Sequence, residues 1–428
     1  MGNITFSRLK NLKAPIKVGI IGAGAMGKGL YYQCQFTPGI ECVALADNNL
    51  EKAISFLHGG GIKHRVVNNI ETLNETVRQG LIAVCRDGDL VAKSTLIDVL
   101  IESTSSISEA AGFAITALEC GKHLVLMNAE IDLIFGPYLR NLAHARNVVY
   151  TSCDGDQHGV IKHLIDDLQL WGIDLVMAGN IKGFLDRYAN PTTIIPEADK
   201  RNLDYKMATA YTDGTKLNIE MALLANALGL STDIPGMHGP PARHVRDVLH
   251  LYDLDALWNE RRPLVDYVLG AEPDGGVFAI GYCAQEYQRN MLRYYKMGEG
   301  PYYVFYRPYH LCHIEAMSSV ADAFLFGHSL LEPSCGLRTN VFAYAKRNLV
   351  EGHSLDGIGG YTCYGMIENC PPATVPLGLP IALADDVILK RDVERDERIL
   401  LSDIEYNSDR FDFNLYFKSL KLQGEQTS

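Results

Sequence analysis

Ile16-Lys17-Val18-Gly19-Ile20-Ile21-Gly22-Ala23-Gly24-Ala25-Met26-Gly27 is the stretch whose reading decides the fold. An apolar, β-type run flows into Gly22-x-Gly24-x-x-Gly27, and a helical pattern follows at once. Each glycine has a task in such a strand–turn–helix. Gly22 permits the tight turn, Gly24 lets a pyrophosphate approach the backbone, and Gly27 lets the helix pack close to the strand. The first helical residues, Ala25 and Met26, offer unpaired N–H groups and the positive end of the helix dipole to phosphates. A second apolar run, Val43-Ala-Leu-Ala46, ends in Asp47, where a carboxylate accepts both hydroxyls of an adenosine ribose. The combination predicts a dinucleotide-binding, Rossmann-type unit. The same carboxylate repels a 2′-phosphate, Asn48 and Asn49 bring no cation to hold one, and Lys52 is the first positive charge beyond it. NAD is therefore expected over NADP. A plainer role for Asp47 is to cap the next helix.

Outward from this stretch, strand and helix alternate to about residue 151. Strands are predicted at 16–21, 40–46, 97–101, 123–127 and 147–150, and helices near 25–36, 49–57, 107–120 and 137–146. Unbroken apolar strands between helices predict an α/β, doubly wound parallel sheet. Ligand lies beyond the carboxyl ends of strands in such a sheet. Those ends carry Gly22–Gly27, Asp47, Ser103-Thr104-Ser105 and Asn128-Ala-Glu130. Ser103, Thr104 and Asn128 are expected at ribose or nicotinamide. Glu130 is expected at nicotinamide or substrate, or as the cap of the helix that follows. Residues 58–95, with Gly59-Gly60-Gly61, read as an insertion or a longer crossover.

The polar loop Ser152-Cys-Asp-Gly-Asp156-Gln-His158 closes a first domain, 1–151. A central α+β catalytic or substrate domain is expected over 152–336. It opens with a helix at about 158–171 and a strand at 173–179 that leads into Lys182. Helical sequence over 199–230 is interrupted by a turn or strand at Tyr211–Asp213 and Lys216, and Asp233-Ile-Pro-Gly-Met-His238-Gly-Pro240 makes a rigid loop. Beyond 337 a small all-β module reaches about 406, with a loosely packed tail to 428. Within it Ala345-Lys-Arg-Asn-Leu349 faintly repeats as Leu389-Lys-Arg-Asp-Val393, each a short strand, a basic pair and a turn.

Composition narrows the function. A chain of 428 residues exceeds one ordinary core. Lys plus Arg number 39 against 51 Asp plus Glu, and the resulting −12 argues against general nucleic-acid binding. No apolar run reaches the ~18 residues that span a bilayer, and the N-terminus shows no apolar core of a secretion signal. Ten scattered cysteines without a CxxC pair suit packing roles in a reducing compartment. A cytoplasmic protein with neither nucleic acid nor membrane as partner is expected.

Several longer strings resemble the homoserine-dehydrogenase-like NAD(P)-dependent oxidoreductases with a C-terminal SAF (antifreeze-like, β-clip) domain, in particular the 1-deoxy-D-xylulose-5-phosphate reductoisomerase-like enzymes. They are Gly22–Gly27, Gly121-Lys-His-Leu-Val-Leu-Met-Asn128, Asp213-Gly-Thr-Lys216 through Glu220-Met-Ala to Ala225-Asn226, Asp233–Pro240 and Arg307-Pro-Tyr-His310. The resemblance implies a nicotinamide-dependent dehydrogenase or reductoisomerase acting on a small polyol-, keto-sugar- or sugar-phosphate-like molecule. This chain departs from that pattern at three places. Gly155-Asp156-Gln157-His158 stands where the family reads Gly-Asp-Glu-Pro, so one carboxylate is missing. Asn180 replaces one lysine of Gly-Lys-Gly-Lys, leaving Lys182, and Asp47 stands where the relative has basic residues suited to NADP.

Hydride transfer needs a carbon held near the cofactor ring, a donor at the oxygen, and a group that exchanges its proton. Lys182 can donate to that oxygen and shuttle its proton if desolvation lowers its pKa, or it is a surface lysine at a strand end. Asp156 can orient Lys182 or bind a hydroxyl, or it is a turn aspartate. With His158 it is a poor set for Mg²⁺ or Zn²⁺, so no metal site is assigned and a divalent-metal requirement is left open. Lys216 and Glu220, spaced i,i+4, share a helix face as an ion pair or as site residues, and the resemblance puts Lys216 in the site. His238, on a constrained backbone, can donate a proton or bind substrate. Arg307 and His310 can bind a phosphate or carboxylate, or Arg307 stacks among Tyr302, Tyr303, Tyr306 and Tyr309. The leading reading is an NAD-linked oxidoreductase of a small molecule. Its alternatives are a dehydrogenase of a hydroxy acid or homoserine-like compound, and a cofactor-binding sensor without catalysis. A SAF-like module covering a neighbouring subunit's site would make a homo-oligomer.

Overall fold

A computed structural model describes residues 4–201, 203–370 and 375–426. Two units emerge. One comprises Met1–Asp156, Leu311–Glu332 and Leu415–Ser428, the other Gln157–His310 and Pro333–Asn414.

The first unit is built on β1 (Ile16–Ile21), β2 (Ile40–Ala46), β3 (His64–Val66), β4 (Ile82–Cys85), β5 (Val99–Glu102), β6 (His123–Leu126) and β7 (Tyr150–Ser152). All seven are parallel, in the order β3-β4-β2-β1-β5-β6-β7. Strand order reverses at β1, so the ligand crevice of this sheet opens beyond the carboxyl ends of β1 and β5. Ile16, Val18, Ile20, Val99, Ile101 and Val125 are fully buried, as strands covered by helices on both faces require.

Two expectations need correction here. Residues 58–95 are not an insertion but two further strands, β3 and β4, with helices Ile70–Arg78 and Gly88–Lys93. β3 has three residues, two of them exposed, and β4 has four, too few for periodicity to register. The helix after β6 runs Ala129–Arg146, not 137–146, and carries Pro137 inside it. Proline costs a helix one N–H bond, but Ile131, Leu133, Ile134 and Phe135 ahead of it are fully buried and hold the early turns in place.

In the second unit, β8 (Asp174–Lys182), β9 (Leu264–Leu269), β10 (Val277–Tyr282) and β11 (Tyr302–Arg307) form a mixed sheet, β11-β10-β8-β9. Along β8 successive side chains leave opposite faces. Met177 and Ile181 join a core with Val245, Val248, Leu254, Phe278 and Ile280. Ala178, Asn180 and Lys182 leave the other face. Helix Gln157–Leu170 packs on β8 and β10, and helix Thr215–Leu228 packs on β9 and on that helix. Asp213-Gly214 is a turn between helices Tyr205–Thr212 and Thr215–Leu228, with Gly214 at φ +87°, so the strand alternative is excluded.

β12 (Thr339–Ala345), β13 (Ser354–Asp356), β14 (Cys363–Asn369), β15 (Asp385–Leu389) and β16 (Ile404–Glu405) make two small antiparallel sheets, β12-β14 and β13-β15-β16. The faint repeat has a physical counterpart. Its equivalent residues Leu349 and Val393 exchange two backbone hydrogen bonds, both 2.9 Å. The tail is not loose: it is helix Phe411–Gln426, with Phe413, Leu415 and Tyr416 buried.

Candidate functional site

The glycine turn of the first unit is shaped as a cradle. Gly22 sits at φ +104°, a left-handed value that glycine adopts freely. A Cβ on Gly27 would lie 1.7 Å from the Gly22 carbonyl oxygen, so helix and turn touch there. A Cβ on Gly24 would meet nothing within 4 Å, leaving open space over the backbone. Gly24 also begins helix Ala25–Phe36 with no side chain capping it, so the first amides, Ala25 and Met26 included, face that space without a side-chain acceptor. These features fit a pyrophosphate.

Asp47 braces this turn. Its Oδ2 accepts from Ala23 N at 2.6 Å and its Oδ1 from Asn49 N at 2.8 Å. It does not cap the following helix, because Asn49 does so by accepting from Lys52 N at 3.1 Å. Ser103 supports the turn: its Oγ donates to Ile21 O at 2.9 Å and Gly22 O at 3.2 Å. Asn128, rather than Glu130, caps helix Ala129–Arg146, and its Nδ2 donates to Ser106 O at 2.8 Å. Glu130 is buried in the first turn of that helix. Thr104 N donates to Glu102 Oε1 at 2.9 Å.

Glu102 escaped sequence reading. Its carboxyl lies fully buried at the end of β5, and burial pushes its pKa up to about 8 against the hydrogen bonds of Thr104 and Asn128. The available signal was an acid terminating the apolar run Val-Leu-Ile.

The second unit gathers charge at one end of its sheet. Lys182, half-buried, ends β8 and donates from Nζ to Tyr211 O at 2.8 Å. Burial lowers its pKa, opposed by the carboxylates of Glu220, Asp274 and Asp213. Asp274 lies beside it: a Cβ on Gly183 would be 2.4 Å from Asp274 Oδ1. The turn carrying Asp274 is tied to β8 by Gly275 N donating to Ile181 O at 3.1 Å, and His310 Nδ1 lies 2.8 Å from Gly275 O. Lys182, Asp274 and His310 thus share one end of the sheet. Asp274 was missed because Pro-Asp-Gly-Gly reads only as a turn.

Helix Thr215–Leu228 brings Lys216, 6% exposed, and Glu220, 3% exposed, one turn apart in a buried helix. Asp213 is fixed otherwise. Buried, it pairs at 2.9 Å with Lys346, whose Nζ also donates to Ala189 O at 2.7 Å and Gly360 O at 2.8 Å. Lys346 lies on the far side of the sequence, and no local pattern announced it. Asn180 leaves the same strand face as Lys182 at 1% exposure, and neither its Oδ1 nor its Nδ2 has a partner among the described residues.

His238 is held in a different way. Asp266 accepts from the backbone amides of His238 at 3.1 Å and Gly239 at 2.9 Å, clamping the loop. The imidazole Nε2 lies 2.8 Å from Asp233 Oδ2, and Arg262 reaches the other oxygen of Asp233 at 2.9 Å. Asp266 and Asp233 hold His238, whereas Lys182 is held by Tyr211 O. Arg307 stacks on Tyr309 at 4.6 Å, as the aromatic alternative expected. Asp156 is buried and is the last residue of the first unit's opening segment.

Residues 155–316 match the family model described as oxidoreductase DRL, catalytic domain. No curated protein matches the chain. Among solved structures, DOX-P reductoisomerase in complex with magnesium is 14% identical over 49% of this chain and 56% of its own, with a TM-score of 0.34. The 1-deoxy-D-xylulose 5-phosphate reductoisomerase of Zymomonas mobilis, in complex with NADPH, is 14% identical over 48% and 56%, at 0.32. A protein of Archaeoglobus fulgidus described as a homoserine dehydrogenase is 20% identical over 49% and 68%, at 0.30. This chain spans little more than half the length of the reductoisomerases it matches. The matched segment holds Lys182, Lys216, Glu220, His238, Asp274, Arg307 and His310. A Rossmann-type unit thus precedes a segment that matches the oxidoreductase DRL catalytic domain.

Proposed function

We propose that the protein reduces or oxidises a small polyol-, keto-sugar- or sugar-phosphate-like substrate with NAD(H), and that Lys182 serves the reacting oxygen. The observation that carries this reading is a half-buried lysine at a strand end, beside Glu220 and Asp274, inside the segment that matches an oxidoreductase catalytic domain. Bound nicotinamide supplies or takes the hydride.

The chain's own residues do the rest. Gly22, Gly24, Ala25, Met26 and Gly27 hold the pyrophosphate, Asp47 the adenosine ribose, and Ser103, Thr104, Asn128 and Glu130 the nicotinamide end. In the reductive direction the Lys182 ammonium donates to the carbonyl oxygen and gives up one proton as the alcohol forms, then regains one from solvent. In reverse, the neutral amine accepts the hydroxyl proton. Desolvation favours the neutral form, while Glu220 and Asp274 favour the ammonium, which keeps both within reach. Lys216 adds positive charge, Asp156 and His238 serve as proton-exchanging or hydroxyl-binding groups, and Arg307 and His310 bind an anionic end of the substrate. Residues 337–406 are read as a SAF-like module.

The test is an NADH-linked assay across polyols, keto-sugars and sugar phosphates, with hydroxy acids and homoserine alongside. Lys182→Met should keep NADH affinity by calorimetry and lose at least about 100-fold in kcat. Unchanged turnover in this variant would refute the assignment.

A further inference from the structure

We infer that Asn180 reads a neutral hydroxyl of the substrate near the reacting carbon, so that the site selects polyhydroxy carbonyl compounds over their deoxy counterparts. This rests on Lys182 standing at the reaction centre. Asn180 precedes Lys182 by two residues on β8, so both side chains leave one face of the strand, about 7 Å apart along it. The carboxamide is 1% exposed, and both of its polar atoms lack a partner among the described residues. Its registered neighbours on the same face do not satisfy it: Val277 on β10 is apolar, and Tyr267 on β9 is engaged with Arg187. Buried amides are almost always hydrogen-bonded, so a doubly bare one marks a place that another molecule completes.

The chemistry of that molecule is constrained by the amide. Nδ2 requires an acceptor and Oδ1 requires a donor. Phosphate and carboxylate oxygens only accept, so they would complete Nδ2 and leave Oδ1 bare. The Lys182 ammonium, which spends one N–H on Tyr211 O, is the better host for an anion. A hydroxyl both donates and accepts. One hydroxyl, or two on adjacent carbons, satisfies the whole group.

The experiment compares the full-length protein with its Asn180→Leu variant, a substitution of similar size. Without ligand, the variant should melt at a higher temperature, since a bare buried amide has been removed. A lower melting temperature would mean that ordered water or the fold already satisfies the amide, and would overturn the inference. With NADH, matched ketones bearing or lacking the α-hydroxyl (dihydroxyacetone, hydroxyacetone, acetone and the two corresponding phosphates) are compared. Wild type should favour the hydroxylated members by roughly 10- to 100-fold in kcat/KM, and the ratio should fall toward one in the variant. A ratio that survives the substitution overturns the inference. If none of these ketones turns over, the same comparison is read from melting shifts, and hydroxylated ketones that stabilise neither protein overturn it. Lys182→Met separates the two levels. If it keeps turnover, the proposed function fails; if it loses turnover while Asn180→Leu leaves selectivity intact, only the inference fails.

Discussion

Replacing Glu102 with glutamine should remove a pH-dependent weakness from the first unit. The carboxyl is fully buried at the end of β5, and burial raises its pKa from 4.5 to about 8. Glu130 adds a like charge, while Thr104 and Asn128 offset part of the burial. A group whose folded pKa is raised contributes stability that is complete below its unfolded pKa and is lost as pH rises through the folded value. The window therefore runs from about pH 4.5 to about pH 8. A shift of that size, at 1.36 kcal/mol per unit, corresponds to an upper bound of roughly 4–5 kcal/mol. Glutamine keeps an oxygen for Thr104 N, which now donates to Oε1 at 2.9 Å, but carries no charge to desolvate. Thermal melts or urea titrations from pH 5 to pH 9 should show the two proteins close together at pH 5. Glu102→Gln should then pull ahead as pH rises, by up to about 10 °C at pH 8.5. Curves that stay parallel across the range, or a variant less stable than wild type at pH 8.5, would refute the argument.

Other outcomes follow from the same geometry. Asp47→Ala removes the acceptor of Ala23 N together with the carboxylate proposed to hold the ribose, so NADH affinity should fall at least about tenfold by calorimetry while NADPH loses less. If NADPH raises the wild-type melting temperature more than NADH does, the argument for NAD is wrong. Lys346→Met leaves Asp213 buried without its cation and should destabilise the second unit by about 3–5 kcal/mol. Adding Asp213→Asn should recover much of that loss in a double-mutant cycle, and strictly additive effects would deny the coupling.

Local sequence determined the first unit because its instructions are local. β1 and β2 lie where their apolar runs end, the turn between β1 and its helix needs Gly22 for a positive φ, and the helix Ala25–Phe36 follows directly. Alternating runs of this kind carry their own register, since strand and helix periods differ. Short elements carried too little pattern to register, which is why β3 and β4 went unread. The groups at the second unit's charged end belong to another category. Lys182 was legible as a lysine after a strand, but Asp274 reaches it from a turn 92 residues later. Lys346 meets Asp213 across 133 residues. Likewise, nothing in Val-Leu-Ile-Glu says that Glu102 is sealed from water, nor does Asn180 reveal that its amide is bare. Burial and partnership are properties of what surrounds a side chain. Only the packing of distant segments supplies those surroundings, and with them the charge, the proton affinity and the unfilled hydrogen bonds on which chemistry depends.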